Sequence, residues 1–240
     1  MKLQKLKKLI KESNNIVFFG GAGVSTESGI PDFRSAQGIH NSDSGLNYSP
    51  EEILSYSFFT KHPDIFYKFY KEKIIHKEAK PNAAHKALAK LEQQGKVKAV
   101  ITQNVDGLHQ KAKSKNVLEL HGSIYRNYCL ECNKSYDLDY ILKSNTTPKC
   151  QKCQGIIKPD VTLYEESLNM DTLQKAITHI SKADLLIVGG TSLTVYPAAH
   201  LIDYYRGNKL VVINKQPTHQ DWKAYLSIKG RIGDAFTDCL

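Results

Sequence analysis

Two cysteine pairs, Cys129-x-x-Cys132 and Cys150-x-x-Cys153, stand 17 residues apart in a chain of 240. Each pair can offer two thiolates to one ion, and four thiolates complete a tetrahedral Zn²⁺ shell with no open coordination position. The spacing predicts one structural zinc, held by Cys129, Cys132, Cys150 and Cys153, that braces a small module without touching a reaction. A redox dithiol and an iron–sulfur cluster are the competing uses of such pairs. Cys239 is left over, and this clustered, odd set argues against a disulfide framework.

A second constellation begins at Ile16-Val17-Phe18-Phe19, an apolar run that predicts a buried strand, and passes directly into Gly20-Gly21-Ala22-Gly23. A glycine turn after a strand lets main-chain N–H groups approach a pyrophosphate, and Ser25 or Thr26 is placed to cap a following helix that faces the anion. The Rossmann spacing is only approximated, because Thr26 occupies the third glycine position. Ile30-Pro31-Asp32-Phe33-Arg34 then sets a carboxylate, an aromatic ring and a guanidinium beside that turn.

Two more groups lie at predicted strand ends. Gln103-Asn104-Val105-Asp106 follows the strand Val97–Thr102, where a doubly wound sheet opens its ligand crevice. An Asn/Asp turn is the competing explanation. His121-Gly122-Ser123 follows Asn116–Leu120, and a histidine there can serve as a general base near neutral pH.

The elements that must position these residues alternate. A helix over 2–13, the first strand, a helical stretch from Ser49 to His76 and a helix from Pro81 to Gln94 precede the strand at 97–102. Beyond the cysteines come a helix over 170–181, the strand 185–188 ending in Gly189-Gly190-Thr191-Ser192, a helix opened by Val195, and a last strand, 209–213, ending at Asn214-Lys215. Strands alternating with helices imply a mainly parallel sheet with ligands at the strand ends. Residues 35–45 are polar and aperiodic, as in a mobile loop.

Hydrophobic residues make up 41% of the chain, enough for a substantial core. The net charge is +9 and the pI about 9.1, but lysines are scattered from Lys2 to Lys229, the pattern of a solvated basic surface rather than a nucleic-acid footprint. No apolar run reaches the roughly 18–20 residues of a membrane span, and the N-terminus lacks a signal peptide's apolar segment, so a cytoplasmic protein is expected.

The ordered set Gly21-Ala22-Gly23-Val24-Ser25, Ser28-Gly29-Ile30-Pro31-Asp32-Phe33-Arg34, Thr102-Gln103-Asn104-Val105-Asp106-Gly107-Leu108-His109, His121-Gly122-Ser123, the two cysteine pairs, Lys158-Pro159-Asp160-Val161 and Gly190-Thr191-Ser192-Leu193 resembles the sirtuins, NAD-dependent protein lysine deacylases, in their bacterial form. The resemblance implies one catalytic domain over 1–240. Its parts would be a Rossmann-like large domain and a small lobe made of a zinc module (126–155) and a helical insertion with the cofactor loop (35–76). NAD and an acetyl-lysine peptide would enter the cleft between them.

Position by position, the resemblance puts Ala22, Thr26, Phe33 and Arg34 along the phosphate and ribose path and Gln103 at the nicotinamide-side ribose. Asn104, Val105 and Asp106 would form the nicotinamide pocket, and Thr191, Ser192, Asn214, Lys215 and Ile232 would surround the adenosine end. The implied catalytic residues are Asn104 and His121. The resemblance implies that the acyl oxygen would attack the ribose carbon as nicotinamide leaves, that His121 would remove a proton from a ribose hydroxyl, which would attack the imidate carbon, and that water would then release lysine and O-acetyl-ADP-ribose. Val161 to Glu166 would offer an edge strand to the substrate peptide.

Some positions depart from the family pattern. Tyr164-Glu165-Glu166 stands where Phe-Gly-Glu is usual, Thr162 where valine is common, and Lys113 where glycine is frequent. The Tyr-x-x-Arg pair of desuccinylating and demalonylating sirtuins is not evident, because Tyr67 is followed three residues later by Tyr70. Deacetylation by a monomer is expected. The alternatives are longer neutral acyl chains and mono-ADP-ribosyl transfer; a zinc-ribbon nucleic-acid module and an NAD dehydrogenase represent other classes.

Overall fold

The computed structural model of the protein describes residues 1–33, 38–39 and 47–237. Arg34, most of the polar loop and Cys239 therefore lie outside the described residues. The amphipathic α1 (Lys2–Glu12) buries Leu6, Leu9 and Ile10 and leads into β1 (Ile16–Gly20), whose residues are all buried. The predicted helical stretch over 49–76 is broken into α2 (Pro50–Ile53), α3 (Tyr56–Lys61) and α4 (Pro63–Phe69), followed by one π turn, Tyr70–Ile74. Ser49 and Ser55 cap α2 and α3 through their hydroxyls and Pro63 starts α4, so the sequence restarts the helix twice.

Next come α5 (Ala83–Gln93), β2 (Val97–Thr102), α6 (Leu108–Lys111), β3 (Val117–Glu119), β4 (Gly122–Cys129), β5 (Ser135–Tyr136), α7 (Leu138–Lys143) and β6 (Ile157–Val161). The chain closes with α8 (Met170–Lys182), β7 (Leu185–Gly189), a 3₁₀ segment over Ala198–Tyr204, β8 (Leu210–Asn214), β9 (Leu226–Lys229) and α9 (Ile232–Thr237). The fold is Rossmann-like: a six-stranded sheet in the order β3-β2-β1-β7-β8-β9, every pairing parallel. β9, absent from the sequence reading, extends the edge, and the helix expected after Val195 is 3₁₀.

Sheet order reverses direction at β1, whose neighbours are β2 on one side and β7 on the other. The register aligns Gly20 with Thr102 and with Gly189, so these carboxyl ends open a crevice together. A separate antiparallel sheet, β5-β4-β6, carries the cysteine pairs at its far end. Its hydrophobic cluster joins the helical segment, with Phe59, Phe66, Tyr67 and Tyr70 buried against Ile124, Ile141 and Ile157. The aromatic residues of the insertion are thus core packing.

Candidate active site

A cleft of about 990 Å³ opens where β1, β2, β7 and β8 end. Its lining brings together Ala22, Thr26 and Phe33 from the glycine turn, Gln103, Asn104, Val105 and Asp106 from the end of β2, and His121 from the end of β3. Thr191 and Ser192 after β7, Asn214 and Lys215 after β8, and Ile232 on α9 complete the far wall. Arg34 lies outside the described residues.

The glycine turn folds differently from expectation. Two 3₁₀ turns, Ala22–Val24 and Thr26–Ser28, replace a capped α-helix, and neither has a side-chain cap. The Thr26 hydroxyl donates to the Gly23 carbonyl at 3.0 Å. A Cβ on Gly23 would come within 2.7 Å of the Gly190 Cα, so this glycine is needed where two strand-end loops touch. Asn82, the N-cap of α5, locks the turn from outside by donating to the Val24 carbonyl at 2.7 Å.

Ser25 serves the site rather than a cap. Its hydroxyl donates to Asp106 Oδ2 at 2.6 Å and accepts from Asn104 Nδ2 at 3.0 Å, while the Leu108 N–H donates to Asp106 Oδ1 at 2.9 Å. Burial pushes the Asp106 carboxyl up, and the bonds from Ser25 and Leu108 pull it back. The buried hydroxyl of Ser25 fixes both polar residues of the β2 loop in one orientation. The sequence offered Ser25 only as a helix cap; its contact with a residue 81 positions away has no local signal.

His121 Nδ1 lies 3.0 Å from the Gln103 carbonyl. A carbonyl only accepts, so Nδ1 carries the hydrogen and Nε2 keeps the lone pair. Burial lowers the ring's pKa, with the Gln103 bond opposing, so the imidazole is neutral at physiological pH. Gly122 follows at φ +77°, and a Cβ there would overlap the Asp160 carbonyl oxygen. The His121 carbonyl also accepts from the Thr162 N–H at 3.0 Å, tying the base to the segment after β6.

That segment is not a regular strand. β6 ends at Val161, and Tyr164 already pairs inward, its N–H donating to Leu54 and its carbonyl accepting from Tyr56, both at 3.0 Å. The Glu165 carboxylate, expected beside a peptide groove, instead accepts from Ser57. Lys113 sits at φ +79°, the conformation that favours glycine at this place in the family. The cleft also takes in Tyr70, together with Leu54 and Arg231, which the sequence did not single out.

The four cysteine sulfurs lie within 4.8 Å of one another. Tetrahedral Zn²⁺ with Zn–S bonds of about 2.3 Å needs sulfurs roughly 3.8 Å apart, so the donor set fits. The Tyr136 hydroxyl donates to Cys150 Sγ at 3.1 Å and the Lys152 N–H at 3.3 Å, the bonds expected around a thiolate ligand.

Sequence comparison matches the Sir2 family over residues 21–197. The chain belongs to the Sir2 family. This Sir2 chain is 62% identical over 231 residues to an NAD-dependent protein deacetylase of Clostridium tetani, covering 96% of this chain and 94% of the relative. An NAD-dependent protein deacetylase of Clostridium perfringens is 61% identical over 233 residues, covering 97% and 96%. Among solved structures, a Sir2 complex with a deacetylated p53 peptide and 3'-O-acetyl-ADP-ribose superposes with TM-score 0.91 at 42% identity, covering 99% of this chain and 97% of that one. A Sir2–p53 peptide–NAD⁺ complex gives TM-score 0.87 at 42% identity, covering 99% and 96%.

Proposed function

We propose that the protein is an NAD-dependent protein lysine deacetylase, converting NAD and acetyl-lysine into lysine, nicotinamide and O-acetyl-ADP-ribose. One observation carries this reading: a single cleft is lined by the glycine turn, the Asn104–Ser25–Asp106 network, His121 with a free Nε2 lone pair, and the segment Val161–Glu166. A dinucleotide and a peptide entering from opposite sides meet at the imidazole.

NAD, when bound, supplies an electrophilic ribose carbon with nicotinamide as the leaving group. Asn104, Val105 and Asp106 hold the nicotinamide end, and Ser25 keeps Asn104 and Asp106 aimed. Gln103 orients the adjoining ribose, Ala22, Thr26 and Phe33 flank the phosphates, and Thr191, Ser192, Asn214, Lys215 and Ile232 enclose the adenosine. His121 Nε2 accepts the proton of a ribose hydroxyl, made basic by the Nδ1–H bond to Gln103. The peptide pairs with the outer edge of 162–165, where among the described residues the Thr162 carbonyl and the Glu165 N–H have no backbone partner. The cysteine cluster holds one structural zinc and takes no part in the chemistry.

Short acyl groups are favoured over long ones, because the small-lobe wall of the cleft includes the ring of Tyr70, fully buried and stacked on Phe66 at 5.4 Å. The test mixes the protein with NAD and an acetyl-lysine peptide and weighs the products. Equal amounts of deacetylated peptide, nicotinamide and acetyl-ADP-ribose are expected. ADP-ribosylated peptide, NAD hydrolysis without deacetylation, or NADH formation would each replace the reading.

A further inference from the structure

Glu165 is a non-glycine residue at φ +76°, a left-handed conformation that side chains with a Cβ adopt rarely. Its carboxylate shows what holds it there: Oε2 accepts from the Ser57 N–H at 2.8 Å and Oε1 from the Ser57 hydroxyl at 2.9 Å. Ser57 lies in the first turn of α3, so one side chain joins the segment after β6 to the helical part of the small lobe. The neighbouring glutamate grips the same segment from inside. Glu166 Oε2 accepts from the Leu163 N–H at 2.8 Å and pairs with the buried Lys158 ammonium at 2.9 Å. Between these two anchors, Tyr164 is pinned by Leu54 and Tyr56 through its main chain.

We propose that Glu165 is a positioning residue for the substrate peptide, a clamp that keeps 162–165 in the single backbone shape that presents the Thr162 carbonyl and the Glu165 N–H outward. The inference rests on the reading that an acetyl-lysine peptide adds a strand here. Its physical basis is preorganisation: a segment already ordered before binding loses less conformational freedom when the peptide pairs with it. Both carboxylate oxygens are engaged by Ser57, which fits a role in shape; attraction of basic peptide side chains is the alternative that peptide kinetics separate.

Glycine restores the conformational freedom that the clamp suppresses and is at home at positive φ, so Glu165→Gly should fold. Steady-state kinetics on the zinc-loaded full chain use two acetyl-lysine peptides, one with neutral and one with basic flanks. For Glu165→Gly the peptide KM is expected to rise about tenfold for both, the worth of roughly one hydrogen bond, with kcat within about twofold and the NAD KM unchanged. Glu165→Gln, whose amide can still accept from the Ser57 N–H, restores part of the affinity, and Ser57→Ala weakens binding by about two- to threefold.

An unchanged peptide KM, or a fall in kcat without a KM change, would overturn the clamp. A KM rise confined to the basic peptide would reassign Glu165 to charge recognition. Amide hydrogen exchange tests the clamp apart from activity: Glu165→Gly should speed exchange at Ser57 and across 163–166, and unaltered protection there refutes it even if the wild type proves not to deacetylate. Wild-type inactivity on acetyl peptides with faster exchange in the variant would instead refute the deacetylase reading and leave the clamp supported.

Discussion

Acid should unfold this protein through a pair of buried imidazoles that take no part in the proposed chemistry. His85 on α5 and His109 on α6 are buried with ring centroids 4.7 Å apart, and Phe18 packs on His109 at 6.2 Å. His85 Nδ1 accepts the Asn82 N–H at 3.3 Å; among the described residues the other three nitrogens have no hydrogen-bond partner. Burial pushes His85 down to about 4 and His109 well below the usual histidine value, with repulsion between the two adding to the second. Unfolded, each ring takes up a proton near pH 6.5; folded, each stays neutral, so stability is fully present above that pH and is lost as acid is added. Between pH 7.5 and 5.0 a histidine protonated only in the unfolded chain costs about 2 kcal/mol, so the pair should remove about 4 kcal/mol. Urea unfolding of zinc-loaded protein at pH 7.5, 6.5, 5.8 and 5.0 measures this, with His109→Phe as the comparison. The variant should lose about 2 kcal/mol less than wild type over the same range, cancelling any contribution from the carboxylates or the metal. Parallel pH dependences in the two proteins would refute the buried-neutral assignment.

Other consequences are as direct. His121→Ala should abolish deacetylation while leaving NAD affinity within about threefold, checked by calorimetry beside turnover. In the wild type, kcat/KM should be level above pH 6.5 and fall below it, because burial lowers the His121 pKa and the base works unprotonated; an acid limb above pH 7 would contradict this. Ser25→Ala strips Asp106 of its 2.6 Å donor and leaves Asn104 Nδ2 without its acceptor, and should cost roughly 10- to 100-fold in kcat/KM, the range for a hydrogen bond to a buried charge. Chelation should melt the antiparallel sheet around the cysteines, seen as lost amide protection over β4–β6, while the core of β1 and β7 stays protected; full activity in a metal-free preparation would contradict a structural zinc.

The parts of the fold legible in the sequence were those whose residues face one environment. The apolar runs at 16–19, 99–102, 185–188 and 210–213 are buried on both faces of a parallel sheet, and near-continuous apolar, β-branched-rich sequence announces that directly. The cysteine pairs were equally plain, since two Cys-x-x-Cys knuckles have metal-ligand spacing, and the β4–β6 pairing brings them together. β4 was hidden because its pairing with β6 shifts register between Ser123 and Asn127, which breaks the period of two. β9 is only four residues long and half exposed at a sheet edge. The Ser25–Asp106 bond and the Glu165–Ser57 bonds join residues 81 and 108 positions apart in the chain, and no local pattern carries such contacts.

The most direct test of the whole reading is a structure of the protein with an acetyl-lysine peptide and a slowly reacting NAD analogue. The acetyl oxygen should lie within about 3.5 Å of the ribose carbon that bears nicotinamide, with His121 Nε2 in hydrogen-bond reach of a ribose hydroxyl. A peptide seated away from 162–165, or a ribose beyond reach of that imidazole, would contradict it.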